Sequence, residues 1–360
     1  MERFSCKTQV ISGDGALEAL GDLTGKRLLI IRDGLELSER IAQQIRGMIK
    51  PETEAFFDKV TPEPTMQQAV EGVRQIRTFR PDLMVAAGGS HVIECAKAMA
   101  CFSGKQCPLA VVPTWLGSGA EVTGSVTLTH NGCRHFFQNP AMRPDMAILD
   151  SSFLTDNTPG SIAEGGFAIL ADSLQAFMGK SNGMLAGLHA REAFCVCWGA
   201  LPAAFAGNQN ARRRLQTASV MTGIACDSLG SGLCRAMGDS LGSLFHLSAG
   251  NLGAILLPAV VSCNAHAAGK RLAELSRAAG LGGSSEAVGV RNLKTALIRL
   301  RRELGMPPTL TRAGVNPRWV WSNVGRIVEL TLEHPECRNN PVTVDDFLVR
   351  RILEEITGHY

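Results

Sequence analysis

The chain reads as an α/β protein, with a dinucleotide-type domain on a parallel sheet at its N-terminal end and an all-helical domain after it. Three observations predict this. Short, uninterrupted apolar runs alternate with helical patterns over residues 26–150, and each run ends at or near Gly, Asp or Pro. Beyond about residue 155 the strand signals stop and long Ala- and Leu-rich stretches, broken at Gly and Pro, take over. Runs that are apolar at every position suit strands buried on both faces, as in a parallel sheet covered by its own crossover helices.

The first run, Leu28-Leu29-Ile30-Ile31, ends at Arg32-Asp33-Gly34, and the second, Ala55-Phe56-Phe57, leads to Asp58. Met66, Ala69, Val70, Val73, Ile76 and Phe79 then recur at helical spacing, with Thr65 placed to cap them. Asp82-Leu83-Met84-Val85-Ala86-Ala87 ends at Gly88-Gly89, and Pro108-Leu109-Ala110-Val111-Val112 ends at Pro113. Strand, helix, strand is a βαβ unit, so ligands are expected at the carboxyl ends of these strands. Pro159-Gly160-Ser161 marks the boundary between residues 1–157 and 158–360, with Ser161 placed to cap a helix through Ile169, Leu170, Leu174 and Phe177.

Composition narrows the function classes. A length of 360 residues suits two domains with their own cores. Net charge is 36 − 33 = +3, and the densest basic run is only Arg212, Arg213 and Arg214, which argues against a nucleic-acid partner. The eleven cysteines include no C-x-x-C pair, so reduced thiols are expected rather than a disulfide framework or a zinc ribbon. Met1-Glu2-Arg3-Phe4 opens no apolar signal core, and no apolar stretch approaches the ~20 residues that span a bilayer. A soluble, cytoplasmic protein with no membrane partner is the expectation.

Two glycine segments follow predicted strands. Gly88-Gly89-Ser90-His91 opens a helix through Ile93, Glu94 and Lys97, where amide N–H groups can meet a pyrophosphate. Two glycines after a strand also make an ordinary tight turn. Pro113-Thr114-Trp115-Leu116-Gly117-Ser118-Gly119-Ala120-Glu121 adds small residues and hydroxyls at the same sheet edge. Asp33, at the end of the first strand, is placed to accept from ribose hydroxyls and repel a 2′-phosphate, or is a plain turn residue before Gly34.

With these segments in view, the sequence resembles the iron-containing (group III) alcohol dehydrogenase family, in its propanol- and ethanol-dehydrogenase branch. The family's G-G-G-S-x-x-D-x-A-K is similar to the stretch from Gly88 to Lys97, and its P-T-T-x-G-T-G-S-E-V-T to the run from Pro113 to Thr123. Pro144-Asp145-Met146-Ala147-Ile148-Leu149-Asp150 matches P-x-x-A-I-L-D, and Asn340-Pro341 matches N-P. The resemblance implies a dehydroquinate synthase-like fold, NAD as cofactor, a small alcohol or aldehyde as substrate, a homodimer, and an iron or zinc ion in a cleft walled on one side by the helical domain. It implies cofactor contacts at Asp33, Gly88, Gly89, Ser90, Thr114, Ser118, Gly119 and at Arg134, which stands where relatives carry a Lys.

Where the family needs one Asp and three His as metal ligands, this chain carries other residues. Gly166 to Gln175 aligns with G-x-D-A-L-x-H-A-x-E, which puts Ala168 at the Asp and Asp172 at a His. Gly232 to Asp239 aligns with G-L-x-H-x-x-x-H, which puts Arg235 at a ligand and Asp239 at the proton-relay His; the last ligand falls on Ala249. No metal is therefore expected at the family position, since a guanidinium repels a cation. His246, three residues from Ala249, is expected to be structural or exposed, as are His91, His189 and His266.

Arg235 and Asp239 are i and i+4 on one helix, and the resemblance brings Asp172 to the same place. The three either form a salt bridge that fills the space of the metal, or act as catalytic residues with Arg235 as electrophile and an aspartate relaying the proton. Three functions follow: a metal-independent NAD(H) oxidoreductase, a catalytically degenerate relative serving as scaffold, partner or regulator, and synthase or lyase chemistry.

Overall fold

The computed structural model describes residues 4–23, 26–117, 119–181 and 183–358, in two compact units. The first, Ser5–Asn157, is built on six parallel strands. These are β1 (Gln9–Ser12), β2 (Arg27–Arg32), β3 (Thr53–Phe57), β4 (Leu83–Gly88), β5 (Leu109–Pro113) and, after the hairpin β6 (Ser125–His130) and β7 (Cys133–Gln138), β8 (Met146–Leu149). Their order across the sheet is β1-β8-β5-β4-β2-β3.

Alternation along the strands assigns each apolar side chain to a face. Leu28 and Ile30 of β2 join Val85 and Val112 under helix α1 (Glu36–Ile49), which contributes Ile41, Ala42 and Ile45. Leu29 and Ile31 point the other way, to Met84, Ala86 and Val111 under α2 (Met66–Phe79) and α3 (Ser90–Phe102), where Ile76, Val92, Ala96 and Met99 complete the layer. Thr65 caps α2 in a capping box: its hydroxyl accepts from Gln68 N while the Gln68 side chain accepts from Thr65 N. Of the expected α2 stripe, Ala69, Val73 and Ile76 are buried but Val70 is 41% exposed, on the flank of the helix rather than beneath it.

The four strands read from sequence are present, and four more join them. β1 is a short, mostly exposed edge strand with no apolar run, so nothing in its composition marks it. The β6–β7 hairpin turns at Asn131-Gly132, both with positive φ, the pattern that two-residue hairpins require.

Every described element from residue 158 onward is helical. Helices α4 (Pro159–Met178), α5 (Met184–Phe205), α6 (Gln209–Leu229), α7 (Leu233–Phe245) and α8 (Ala249–Asn264) are followed by α9 (Gly269–Ala278), α10 (Glu286–Glu303), α11 (Pro317–Ser322), α12 (Val324–Glu333) and α13 (Asp346–Thr357). The cap of α4 is Thr158, not Ser161: Pro159 takes the first helical position, where no N–H is needed, and the Thr158 hydroxyl accepts from Ser161 N. Asn340 of the Asn-Pro motif exchanges amide hydrogen bonds with Asn264 at the end of α8 (3.0 and 3.1 Å), and Asn264 also accepts from Val342 N. All eleven cysteines are free thiols. No described helix is long and apolar enough to cross a membrane.

Packing of α8 on α4 depends on Gly250, where a Cβ would stand 2.2 Å from the Glu164 carbonyl oxygen. Gly250→Ala should cost about 1–3 kcal/mol, as overpacking against backbone does. Gly199→Ala, on the exposed side of α5 with nothing within 4 Å, should stabilise by roughly 0.5–1 kcal/mol. Urea unfolding of the two variants checks the contrast.

Candidate functional site

Two places bring chemistry-bearing side chains together, one in each unit. In the first unit the chain leaves β2 through α1 to the edge strand β3, then returns through α2 on the opposite face to β4 on the other side of β2. This reversal leaves a crevice beyond the carboxyl ends of β2 and β4, where doubly wound sheets bind ligands. The register pairs Arg32 with Ala87, so Asp33 falls beside Gly88.

Asp33 is buried, and its acceptors are engaged. Oδ1 accepts from Leu35 N (3.1 Å) and Ser38 Oγ (2.6 Å), and Oδ2 is 3.1 Å from His91 Nε2. Burial alone would raise its pKa, but the hydrogen bonds from His91, Ser38 and Leu35 outweigh that and hold the carboxyl below its ordinary value. Gly89 is the N-cap of α3, and Ser90 is its first residue. A Cβ on Gly88 would meet Val92 at 2.5 Å, and one on Gly89 would meet the His91 imidazole at 2.9 Å. Glycine at position 88 therefore lets Val92 of α3 pack directly on the end of β4, while at position 89 a side chain would have to move the His91 ring.

The second glycine segment is tied to the first. Thr114, buried at the end of β5, donates its N–H to the Gly88 carbonyl (3.0 Å), and its own carbonyl accepts from Asn157 Nδ2. Gly119 has φ +65°, in the left-handed region that favours glycine. Ser118 lies outside the described residues. Lys97 of α3, fully buried, donates to Ala120 O (2.9 Å), Thr123 Oγ1 (3.0 Å) and Ser125 O (2.6 Å), which holds the two glycine segments at a fixed spacing. Trp115 is 48% exposed. Arg134, expected to face a cofactor, is on β7 and ion-pairs with Glu63 at 2.8 Å.

In the helical unit, Asp172 of α4 meets Arg235 and Asp239 of α7. Arg235 Nη1 is 3.3 Å from Asp172 Oδ2, and its Nε is 3.8 Å from Asp239 Oδ2. Two residues absent from the sequence reading complete the cluster. His334 Nδ1 accepts from Glu336 N (3.3 Å), so the ring hydrogen of the neutral form sits on Nε2 and is donated to Asp239 Oδ2 at 3.2 Å. Glu336 accepts the Ser231 N–H, and Ser231 Oγ donates to Asp172 Oδ1 (2.7 Å). Burial pushes the Glu336 carboxyl above its ordinary pKa despite the opposing pull of the Ser231 N–H, Arg235 and His334. Burial, reinforced by Asp172, likewise pushes the Cys226 and Cys234 thiols up, so neither is a ready thiolate.

Beside Arg235 lies a cavity of about 20 Å³, lined by Ala168, Ala171, Asp172, Cys234, Gly238, Asp239, Ala249 and Gly253 as well. That is room for about one water. His246 caps α7 in the left-handed conformation (φ +54°), is exposed, and does not line this cavity. Among the described residues there is no group of three or more His, Cys, Asp and Glu side chains able to hold a metal ion.

Residues 7–151 match the iron-containing alcohol dehydrogenase family, and residues 162–357 match the C-terminal family of Fe-containing alcohol dehydrogenases. The chain belongs to this family. It is 28% identical to 1-propanol dehydrogenase PduQ of Citrobacter freundii over 99% of this chain and 100% of that protein. It is 24% identical to the NADPH-dependent butanol dehydrogenase of Clostridium saccharobutylicum over 98% and 97% of the two chains. The solved iron-containing alcohol dehydrogenase of Thermococcus thioreducens superposes with a TM-score of 0.90 at 25% identity, covering 98% of this chain and 99% of that one.

Glu336 sets a pH dependence whose sign is fixed. A carboxyl whose folded pKa is raised stabilises the fold below its unfolded pKa, and that contribution is lost as pH rises through the folded value. Glu336→Gln keeps an oxygen to accept the Ser231 N–H and cannot ionise. Relative to the parent chain, its stability should therefore improve as pH rises from about 4.5, and urea unfolding across pH 4–8 reads the slope.

Proposed function

We propose that this chain is an NAD(H)-dependent oxidoreductase acting on a small alcohol or aldehyde without the metal of its family, Arg235 standing in for the cation. The observation that carries the reading is the β2/β4 crevice, where the Asp33 carboxylate lies beside the Gly88-Gly89 segment at the reversal of the sheet. The Asp33 end of the crevice would face the ribose, and the amides of Gly89 and Ser90 would hold the pyrophosphate. When bound, the nicotinamide ring supplies or accepts a hydride. A homodimer in the cytoplasm belongs to the same proposal and rests on family resemblance alone.

A divalent ion does not fit the helical cluster. The resemblance places the four ligand positions at Ala168, Asp172, Arg235 and Ala249, which amount to two methyls, one carboxylate and a guanidinium. Iron or zinc needs several O or N donors, whereas the Asp172 and Asp239 carboxylates both face Arg235. In the proposed chemistry an Arg235 N–H donates to the substrate oxygen, Asp172 orients the guanidinium, and Asp239 with His334 holds the transferred proton.

One observation favours a second reading, a family member that no longer catalyses and serves as a scaffold or regulator. Arg235 already faces two carboxylates, and the space beside it is about 20 Å³. A substrate oxygen must displace one of those contacts to reach the guanidinium.

Titration of metal-analysed protein with NADH, followed by energy transfer from its tryptophans, and a screen of short aldehydes in the presence of chelator separate the two. Under the first reading NADH binds saturably, aldehydes are reduced, and Arg235→Met lowers turnover by at least about 100-fold, the scale of a lost electrostatic stabiliser, with NADH affinity kept. Turnover that survives Arg235→Met removes Arg235 from the chemistry. Binding without turnover in the parent chain leaves the second reading.

A further inference from the structure

We infer that His91 makes the Asp33 pocket accept a 2′-phosphate, so that the chain takes NADP(H) as well as NAD(H). The inference rests on the dinucleotide reading above and assigns a specificity-determining residue within it. A carboxylate after this strand ordinarily selects the unphosphorylated ribose for two reasons: it offers free lone pairs to the hydroxyls, and its uncompensated charge repels a phosphate. Asp33 meets neither condition in full.

A carboxylate has about four acceptor positions, and at Asp33 the Leu35 N–H, the Ser38 hydroxyl and His91 fill three of them. Little capacity is left for a pair of ribose hydroxyls. The carboxylate also faces a titratable base. Because an ionised carboxylate only accepts, His91 Nε2 carries the hydrogen in the 3.1 Å contact, and Nδ1 is the atom left to take a second proton. That atom lies beside the first glycine segment, 2.9 Å from where a Gly89 Cβ would stand. Imidazole is the side chain that gains a proton most readily near neutrality, and an arriving phosphate dianion favours the imidazolium form.

Asp33 thus acts through His91: its carboxylate orients the ring by taking the Nε2 hydrogen and leaves Nδ1 toward the glycine segment, where a phosphate can share a proton with it. Arg32, the neighbouring base, is committed elsewhere, ion-paired with Glu39 of α1 and stacked over the Phe56 ring at 5.0 Å. His91 is therefore the source of the compensating charge.

The test measures dissociation constants for NADH and NADPH at one pH, by tryptophan-to-nicotinamide energy transfer, on the full chain and on His91→Ser and His91→Gln. In the parent chain the two constants should lie within about 10-fold of each other, and both variants should raise the NADPH/NADH ratio by at least about 10-fold, the effect of one charge removed at short range. A merely structural role for His91 would weaken both coenzymes in parallel and leave the ratio in place. A ratio that moves by less than about twofold in both variants overturns the inference while the dinucleotide reading stands. If neither coenzyme binds the parent chain, both are overturned.

Discussion

Because every strand of the larger sheet is parallel, each connection must cross over a face, and both faces must be covered by apolar helix surface. That one constraint explains why Leu28 and Ile30 look toward α1 while Leu29 and Ile31 look toward α2 and α3. It also explains why the chain reverses between β2 and β4. One crossover covers the first face, the next covers the second, and the loops that leave β2 and β4 diverge. At and just past the strand ends the chain places Asp33, Gly88, Gly89 and His91. The crevice is a by-product of covering a two-faced core, and its chemistry depends on a handful of residues added to it.

Charge balance is the corresponding constraint in the helical unit. A guanidinium cannot shed its proton, so Arg235, largely enclosed, requires carboxylates, and Asp172 and Asp239 supply them from two different helices. Removing one partner of such a buried arrangement costs on the order of 3–5 kcal/mol, because the other charge is left behind. The three residues are therefore expected to change together or not at all. Burial holds the neighbouring Glu336 carboxyl above its ordinary pKa, and the Asp172 charge adds to that. His334 adds a further partner on the other side, its Nε2 lying 3.2 Å from Asp239 Oδ2.

What could be read from the chain alone follows from how local each signal is. β2, β4 and β5 are continuous apolar runs, α2 carries its own cap at Thr65, and Arg235 with Asp239 is one helical turn. All of that is written within a few residues. β1 is silent in the sequence because four mostly exposed residues become a strand only by pairing with β8, whereas the β6–β7 hairpin does carry a local signal at Asn131-Gly132. The α4 cap shifted by three residues because Pro159 and Thr158 together make a better start than Ser161. His91 to Asp33 spans 58 residues and His334 to Asp239 spans 95, and no spacing rule connects residues so far apart. His334 and Glu336 flank Pro335 in a short turn with no periodicity, so their residue types were the only clue.

The two sites share a physical device. At Asp33 a carboxylate suited to a ribose is already bonded to His91, and at Asp172 and Asp239 carboxylates suited to a cation are already paired with Arg235. Internal partners of this kind stabilise the chain without ligand, since a buried carboxylate is never left unmet. They also change what a ligand must do: it has to replace a bond the protein makes with itself, or bring a charge that the internal base can meet. A neutral hydroxyl gains little at Asp33 by displacing an imidazole, whereas an anion gains a counter-charge there. In the proposed chemistry a carbonyl oxygen near Arg235 would compete with the carboxylates best as hydride arrives and negative charge builds on it. Self-pairing at both places therefore favours charged species over neutral ones, and ties discrimination in each unit to the base that fills its carboxylate.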